Sequence, residues 1–225
     1  MQQTPAHDFY NPDLLVYMPP DCKRVVEVGC STGALARAYL KVNPACHYIG
    51  VEIDADYAEA ARNVCAEAFV GDVETLPDAQ FNKIFASDCV VFGDTLEHLR
   101  DPWAVLRRIR PLLPPGGKII GCLPNAQHWS VQLRLACGLF RYEDAGLLDR
   151  TRLRWFTRVT AIELFQASGY RVVDGRPRLF PEPQREAFLP AIHALATAAG
   201  VDANLAVSDA LPLQFVLVAV ADDQA

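Results

Sequence analysis

The stretch Arg24–Leu40, RVVEVGCSTGALARAYL, decides how the chain is read. Val25, Val26 and Val28 read as a buried strand and ALARAYL as a helix, with Gly29, Ser31 and Gly33 between them in the spacing G-x-S-x-G. Two chemistries use that spacing. On a strained strand-to-helix elbow Ser31 is a nucleophile, and its oxyanion hole takes a donor from a loop after an earlier strand. Around a nucleotide-type ligand, Gly29, Cys30, Ser31 and Gly33 instead form a loop of small residues that lets the ligand reach the backbone at a helix N-terminus. Only 23 residues precede Arg24 and no HGGG-like stretch stands upstream. The elbow lacks its oxyanion loop, and Ser31 is read as a loop residue.

Outward from this point, short apolar runs alternate with helical patterns, the signature of a parallel sheet covered on both faces. HYIGVEI, AEAFVGD, CVVFGD and KIIGCLP predict strands two to five, YRVVDGRP a sixth and LQFVLVAVAD a seventh. Asp54 or Asp56 is placed to cap the helix in DADYAEAARNVC, and Asp101 with Pro102 starts the helix in DPWAVLRRIRPLL. Pro190 is expected to interrupt a late helix, REAFLPAIHALATAAG. Residues 124–156 show no strand period and read as an insertion over the strand ends, an expected acceptor lid on a single domain spanning residues 1–225.

The chain has 225 residues, 51% hydrophobic, a net charge of -6 and a pI near 5.3. That balance excludes bulk electrostatic attraction to nucleic acid or an anionic membrane surface. Seven scattered cysteines without a C-x-x-C pair fit a reducing compartment. The start MQQTPAHDFYNPD has no signal-peptide pattern and FVLVAVA is too short to span a bilayer, so the expectation is a cytoplasmic protein without a membrane span.

Glu27 narrows the ligand. An acid ending an apolar strand, two residues before the first glycine, is costly to bury without a cationic partner, and a ligand ammonium group would supply one. With EVGCSTG in place, the chain resembles the class I S-adenosylmethionine-dependent methyltransferases, Ser31 replacing the middle glycine of their first motif. The resemblance runs from about Asn11 through the seventh strand. It implies an α/β, Rossmann-like, seven-stranded, mostly parallel sheet with helices on both faces and an antiparallel last strand inserted beside the fifth. It also implies S-adenosylmethionine as cofactor, with Gly29 and Gly33 against its methionine portion and Glu27 serving the ammonium directly or through water. Glu52 then accepts the ribose hydroxyls, Ile53 lies against the adenine, Asp72 meets the adenine amino group and Val73 supplies a backbone amide. Singly, Glu52 also reads as a solvated strand end and Asp72 as a turn residue. An NAD-dependent oxidoreductase shares an acid about twenty residues past a glycine loop, but Glu27 and the acid after the third strand argue against it.

On the acceptor side, FGDTLEHLRDPW resembles the LEHL segment of one broad branch of these enzymes. Asp94, with a foot in the cofactor site, and His98 are candidate catalytic groups, His98 as general base, and His128 from the insertion joins them. Alternatively Glu97 and His98 only buttress the loop, or Asp94, Glu97, His98 and His128 form a divalent-metal set, although no metal is assigned. GLLDRTRLRWFT is similar to segments of methyltransferases found with glycan biosynthesis, which implies a sugar-containing acceptor. Arg150, Arg152 and Arg154 alternate and share a face if extended, suiting an anionic acceptor such as a sugar nucleotide; salt bridges to Glu143, Asp144 and Asp149 are the competing reading. His193, Trp103 and Trp129 read as packing or surface residues, and the apolar FLPAIHAL suggests a homodimer contact. The expected function is methyl transfer to an oxygen of a small-molecule or glycan-linked acceptor, with a non-catalytic cofactor-binding subunit as the other survivor.

Overall fold

Five short apolar runs between Arg24 and Pro124 lie side by side; the four inner ones are buried on both faces, and the edge run, Glu67–Val70, is only partly covered. In the computed structural model, which describes residues 9–222, they are β1 (Arg24–Val28), β2 (His47–Glu52), β3 (Glu67–Val70), β4 (Cys89–Gly93) and β5 (Lys118–Pro124). β6 (Tyr170–Arg178) and β7 (Gln214–Ala221) complete one sheet in the order β3-β2-β1-β4-β5-β7-β6. The first five strands are mutually parallel, and β7 runs antiparallel between β5 and β6. This is the Rossmann-like sheet expected, down to the strand inserted beside β5. MQQTPAHD at the start of the chain lies outside the described residues.

The helices supply the crossovers. α1 (Pro12–Tyr17) precedes the sheet, α2 (Ala34–Val42) and α3 (Ala55–Ala61) follow β1 and β2, and α4 (Asp78–Phe85) and α5 (Pro102–Ile109) follow β3 and β4. Asp54, rather than Asp56, caps α3 by accepting the amides of Asp56 and Tyr57, and Asp101 caps α5 through the Ala104 amide with Pro102 in its first turn. Two cores result, one per sheet face: Val26 and Val28 of β1 join Ile49, Phe81, Phe85 and Phe165, while Val25 joins Tyr39, Tyr48 and Ile120. That alternation leaves Glu27 on the Val25 face.

Beyond β5 come α6 (Trp129–Ala136), α7 (Arg158–Gln166), α8 (Leu189–Ala198) and α9 (Ala203–Asp209). A bridge between Asn125 and Phe156 closes the base of the 124–156 insertion. Three helices lacked a sequence forecast: α1, α4 and α9. The late helical stretch is interrupted, as expected, just before Pro190. The proline sits in the first turn of α8, where a missing N–H costs nothing, and a separate 3-10 turn covers Pro183–Ala187.

Candidate active site

The strand order reverses between β1 and β4, and in open parallel sheets ligands bind at the carboxyl ends of strands at such a point. A cleft lies there, walled by the β1 loop (Gly29, Ser31), the end of β2 (Glu52, Ile53), the turn after β3 (Asp72, Val73) and the end of β4 (Asp94, Thr95, His98). The loop is built for close approach. Gly29 and Gly33 have φ +73° and +81°, and a side chain on Gly29 would place Cβ 2.5 Å from Thr95 Oγ1. That hydroxyl is committed, donating to the Val28 carbonyl at 2.9 Å and so tying β4 to the loop. Ser31 has a positive φ of 47°, the backbone state a glycine would adopt there, which explains how a serine occupies this position at some strain.

Glu52 is 4% exposed yet reaches the cleft. Its Oε2 accepts the Ser31 amide at 2.8 Å and its Oε1 the Asp54 amide at 3.0 Å, so each oxygen is held by one backbone donor and keeps a lone pair. A carboxylate pinned in this way presents two parallel acceptors, the geometry that a ribose diol needs. Asp72 binds the Glu74 amide at 2.9 Å through Oδ1 and Arg100 at 2.7 Å through Oδ2, and Glu74 holds the Arg100 and Asp101 amides in turn. Arg100 and Leu99 therefore form a wall of the cleft that the sequence reading did not assign.

At the other end, Asp94 has φ 54°, and its Oδ1 accepts from the Gln214 amide group and from the Cys122 thiol. Burial raises its pKa, offset by Arg152 and by the Gln214 hydrogen bond. Glu97, 1% exposed, turns away from the cleft wall, and neither oxygen has a hydrogen-bond partner among the described residues. Arg152 Nε and His98 Nε2 each lie 3.8 Å from its Oε1. Burial, reinforced by Asp94, pushes the Glu97 carboxyl up to about 8 against the pull of Arg152. The Glu97 carbonyl accepts the amides of Leu153 and Arg154, so the insertion is stitched to the LEHL turn by its backbone. His98 lines the cleft, and burial lowers its pKa, which keeps the ring neutral at pH 7.

Four expected site residues stand elsewhere. His128 is buried at the N-cap of α6, with Nδ1 2.8 Å from Ser130 Oγ and Nε2 3.1 Å from Glu182, because a short polar ring at a helix start is consumed by capping. Its expected place beside Asp94 and His98 is thereby corrected, and the four-residue metal set with it: no His, Cys, Asp or Glu group among the described residues is arranged to hold an ion. Glu27 does not wall the cleft. It is 6% exposed on the Val25 face of the sheet, accepts the Tyr48 hydroxyl at 2.9 Å, and is pushed up to about 8 chiefly by burial. Cys30 packs its sulfur against Gly50, and Gly33 starts α2, so both shape the loop without lining the cleft. The three alternating arginines part company as well: Arg150 pairs with Asp144 at 2.9 Å, Arg152 is inserted toward Glu97, and Arg154 bonds backbone carbonyls. No common anion-binding face forms, since the three side chains take different partners: Arg150 lies in a turn, and residues 152–155 form no strand that would align them.

Fold and site together define a Rossmann-like protein with a glycine-loop cleft and an acid at the end of β2, the class that holds nucleoside cofactors. A family model described as a methyltransferase domain matches residues 8–174, and the chain belongs to that family, whose members take their methyl group from S-adenosylmethionine. A ubiquinone biosynthesis O-methyltransferase of Xanthomonas axonopodis pv. citri is 29% identical over 124 residues, 52% of this chain and 51% of the relative, so the matched segment spans about half the relative's length. An uncharacterized methyltransferase of Mycobacterium bovis is 29% identical over 170 residues, 71% of this chain and 82% of the relative. Among solved structures, an S-adenosylmethionine dependent methyltransferase from Mesorhizobium loti shares the fold with a TM-score of 0.61 at 15% identity, covering 92% of this chain and 95% of that one.

Proposed function

We propose that this chain binds S-adenosylmethionine in the β1–β4 cleft and methylates an oxygen of a small-molecule acceptor. The observation that carries the reading is the Glu52 carboxylate, held by two backbone amides on the cleft wall beside Gly29, where a Cβ would clash with Thr95. Both features fit the cofactor: Glu52 and Ile53 would hold its nucleoside, Asp72 and Val73 its adenine edge, and Gly29 and Ser31 its methionine portion. Glu27 would act on the loop from beneath, through water or through Tyr48. The bound cofactor supplies a methyl group on a sulfonium, whose transfer needs little covalent help. The protein's share is alignment, exclusion of water and removal of one proton, and His98, neutral and on the cleft wall, is the base that takes it.

The name of the Xanthomonas relative supports an oxygen acceptor, and a phenol is the chemistry tried first. A glycan-linked acceptor rests on the GLLDRTRLRWFT segment alone, and a homodimer on the apolar α8, where Leu195 is exposed. The test is methyl transfer from labelled cofactor to a panel of catechols, phenols and sugar nucleotides. A phenolic product that falls about 100-fold in His98→Ala, with cofactor affinity unchanged, is the expected result. Equal turnover in His98→Ala would remove the base assignment.

A further inference from the structure

His98 makes one contact that settles which of its nitrogens is basic. Its Nδ1 lies 3.0 Å from Thr151 Oγ1, and Thr151 Oγ1 lies 2.7 Å from Asp149 Oδ1. A hydroxyl carries one proton and a carboxylate only accepts, so that proton is committed to Asp149. Toward His98 the Thr151 oxygen can therefore only accept, and Nδ1 must carry a hydrogen. In a neutral ring this leaves the lone pair on Nε2. We propose that Asp149 and Thr151, both in the insertion, are positioning residues that lock His98 in its Nδ1–H tautomer, present Nε2 as the base and support the imidazolium once it forms.

The pair is itself fixed. Asp149 is 3% exposed, and its Oδ1 also accepts the Thr151 amide at 2.8 Å, so the carboxylate and the hydroxyl move as one unit. Thr151 lines the same cleft as His98, which places the relay at the reacting end. When the acceptor hydroxyl gives its proton to Nε2, the ring retains the proton on Nδ1 and becomes a cation. Its charge is then met through Thr151 by Asp149, while Asp94, Glu97 and Arg152 are the other charged or titratable groups facing the ring. The insertion thereby does more than cover the cleft, since an enzyme whose insertion is displaced has no ordered base.

This inference rests on the assignment of His98 to the reaction, but the tautomer that decides it is read without the acceptor. Nitrogen-15 spectra of labelled imidazoles report the protonated nitrogen directly, and His98→Gln identifies the signal. In the wild-type protein His98 should be protonated on Nδ1 at pH 7.5. Thr151→Val, or Asp149→Ala, which frees the hydroxyl to donate, should shift the ring to Nε2–H, the form favoured in water, and lower its pKa. Thr151→Ser should restore both. Binding of S-adenosylhomocysteine within about twofold of wild type shows that the cleft is intact in each variant, and turnover should fall about 10- to 100-fold in Thr151→Val with acceptor KM unchanged. An Nε2–H tautomer in the wild type, or a Thr151→Val spectrum identical to it, would overturn the proposal. Absence of S-adenosylhomocysteine binding would instead sink the cofactor reading, and the wild-type tautomer would still judge the relay.

Discussion

At Glu52, two backbone amides hold one side chain at the wall of a cleft, and the consequence is specific. Removing the carboxylate deletes the proposed acceptors for the ribose diol and leaves the Ser31 and Asp54 amides without their partner. Glu52→Ala should weaken S-adenosylhomocysteine binding about 10- to 100-fold, the loss of one or two hydrogen bonds to a charged group, as read by calorimetry. An unchanged affinity would remove the ribose assignment. Glu52 was pointed to by the family resemblance, since an acid ending an apolar strand reads by itself as a solvated strand end. Thr151, Arg100 and Thr95 were not, since each acquires its role from a partner 28 to 67 positions away: Asp72 for Arg100, His98 for Thr151 and Val28 for Thr95. His128 shows the opposite error, a residue type that suggests chemistry and is used as a cap.

The element that decides the site is the β1–α2 loop. Gly29→Ala forces an L side chain into φ +73° and brings a methyl 2.5 Å from Thr95 Oγ1, which cannot move without losing its bond to the Val28 carbonyl. The variant should lose roughly 2–4 kcal/mol in urea denaturation and bind the cofactor undetectably; stability within 0.5 kcal/mol of wild type, read roughly at the noise of such surface changes, would show that the loop yields. At this scale the sequence was informative where apolar runs were long, as in β1, β4 and β5. It was silent for α4, whose Phe81, Ile84 and Phe85 carry a helical period but fill barely two turns before β4. α9 is similarly short, and its only buried helix residue is the charged Asp209, which pairs with Arg158 at 2.7 Å.

Across the whole molecule, buried titratable groups set how stability responds to pH. Glu27 and Glu97 are both pushed up to about 8, mainly by burial, whereas in the unfolded chain they return to the ordinary carboxyl range. The native state then binds more protons than the unfolded state between about pH 4.5 and 8, so their contribution falls as pH rises through that window. His98 and His128, both lowered by burial, act in the other direction, losing stability as pH falls below about 6.5. Above about pH 6.5 the histidines no longer titrate and the two carboxyls prevail, so unfolding free energy in urea should decline from pH 7 to 8.5. Glu27→Gln, which keeps an acceptor for Tyr48, should flatten that decline and gain roughly 1–3 kcal/mol over wild type at pH 8.5. A wild-type curve that rises over the same interval would contradict the burial argument.

The central claim is that the cleft is a site for S-adenosylmethionine. Titration calorimetry of the purified protein with S-adenosylmethionine, and separately with NAD, tests it most directly. Micromolar binding of the first and none of the second is the expected result, because the proposed reading assigns Asp72, on the cleft wall after β3, to the adenine and Glu27 to the ammonium end, groups that an NAD site does not call for. Binding of NAD without S-adenosylmethionine would contradict the account.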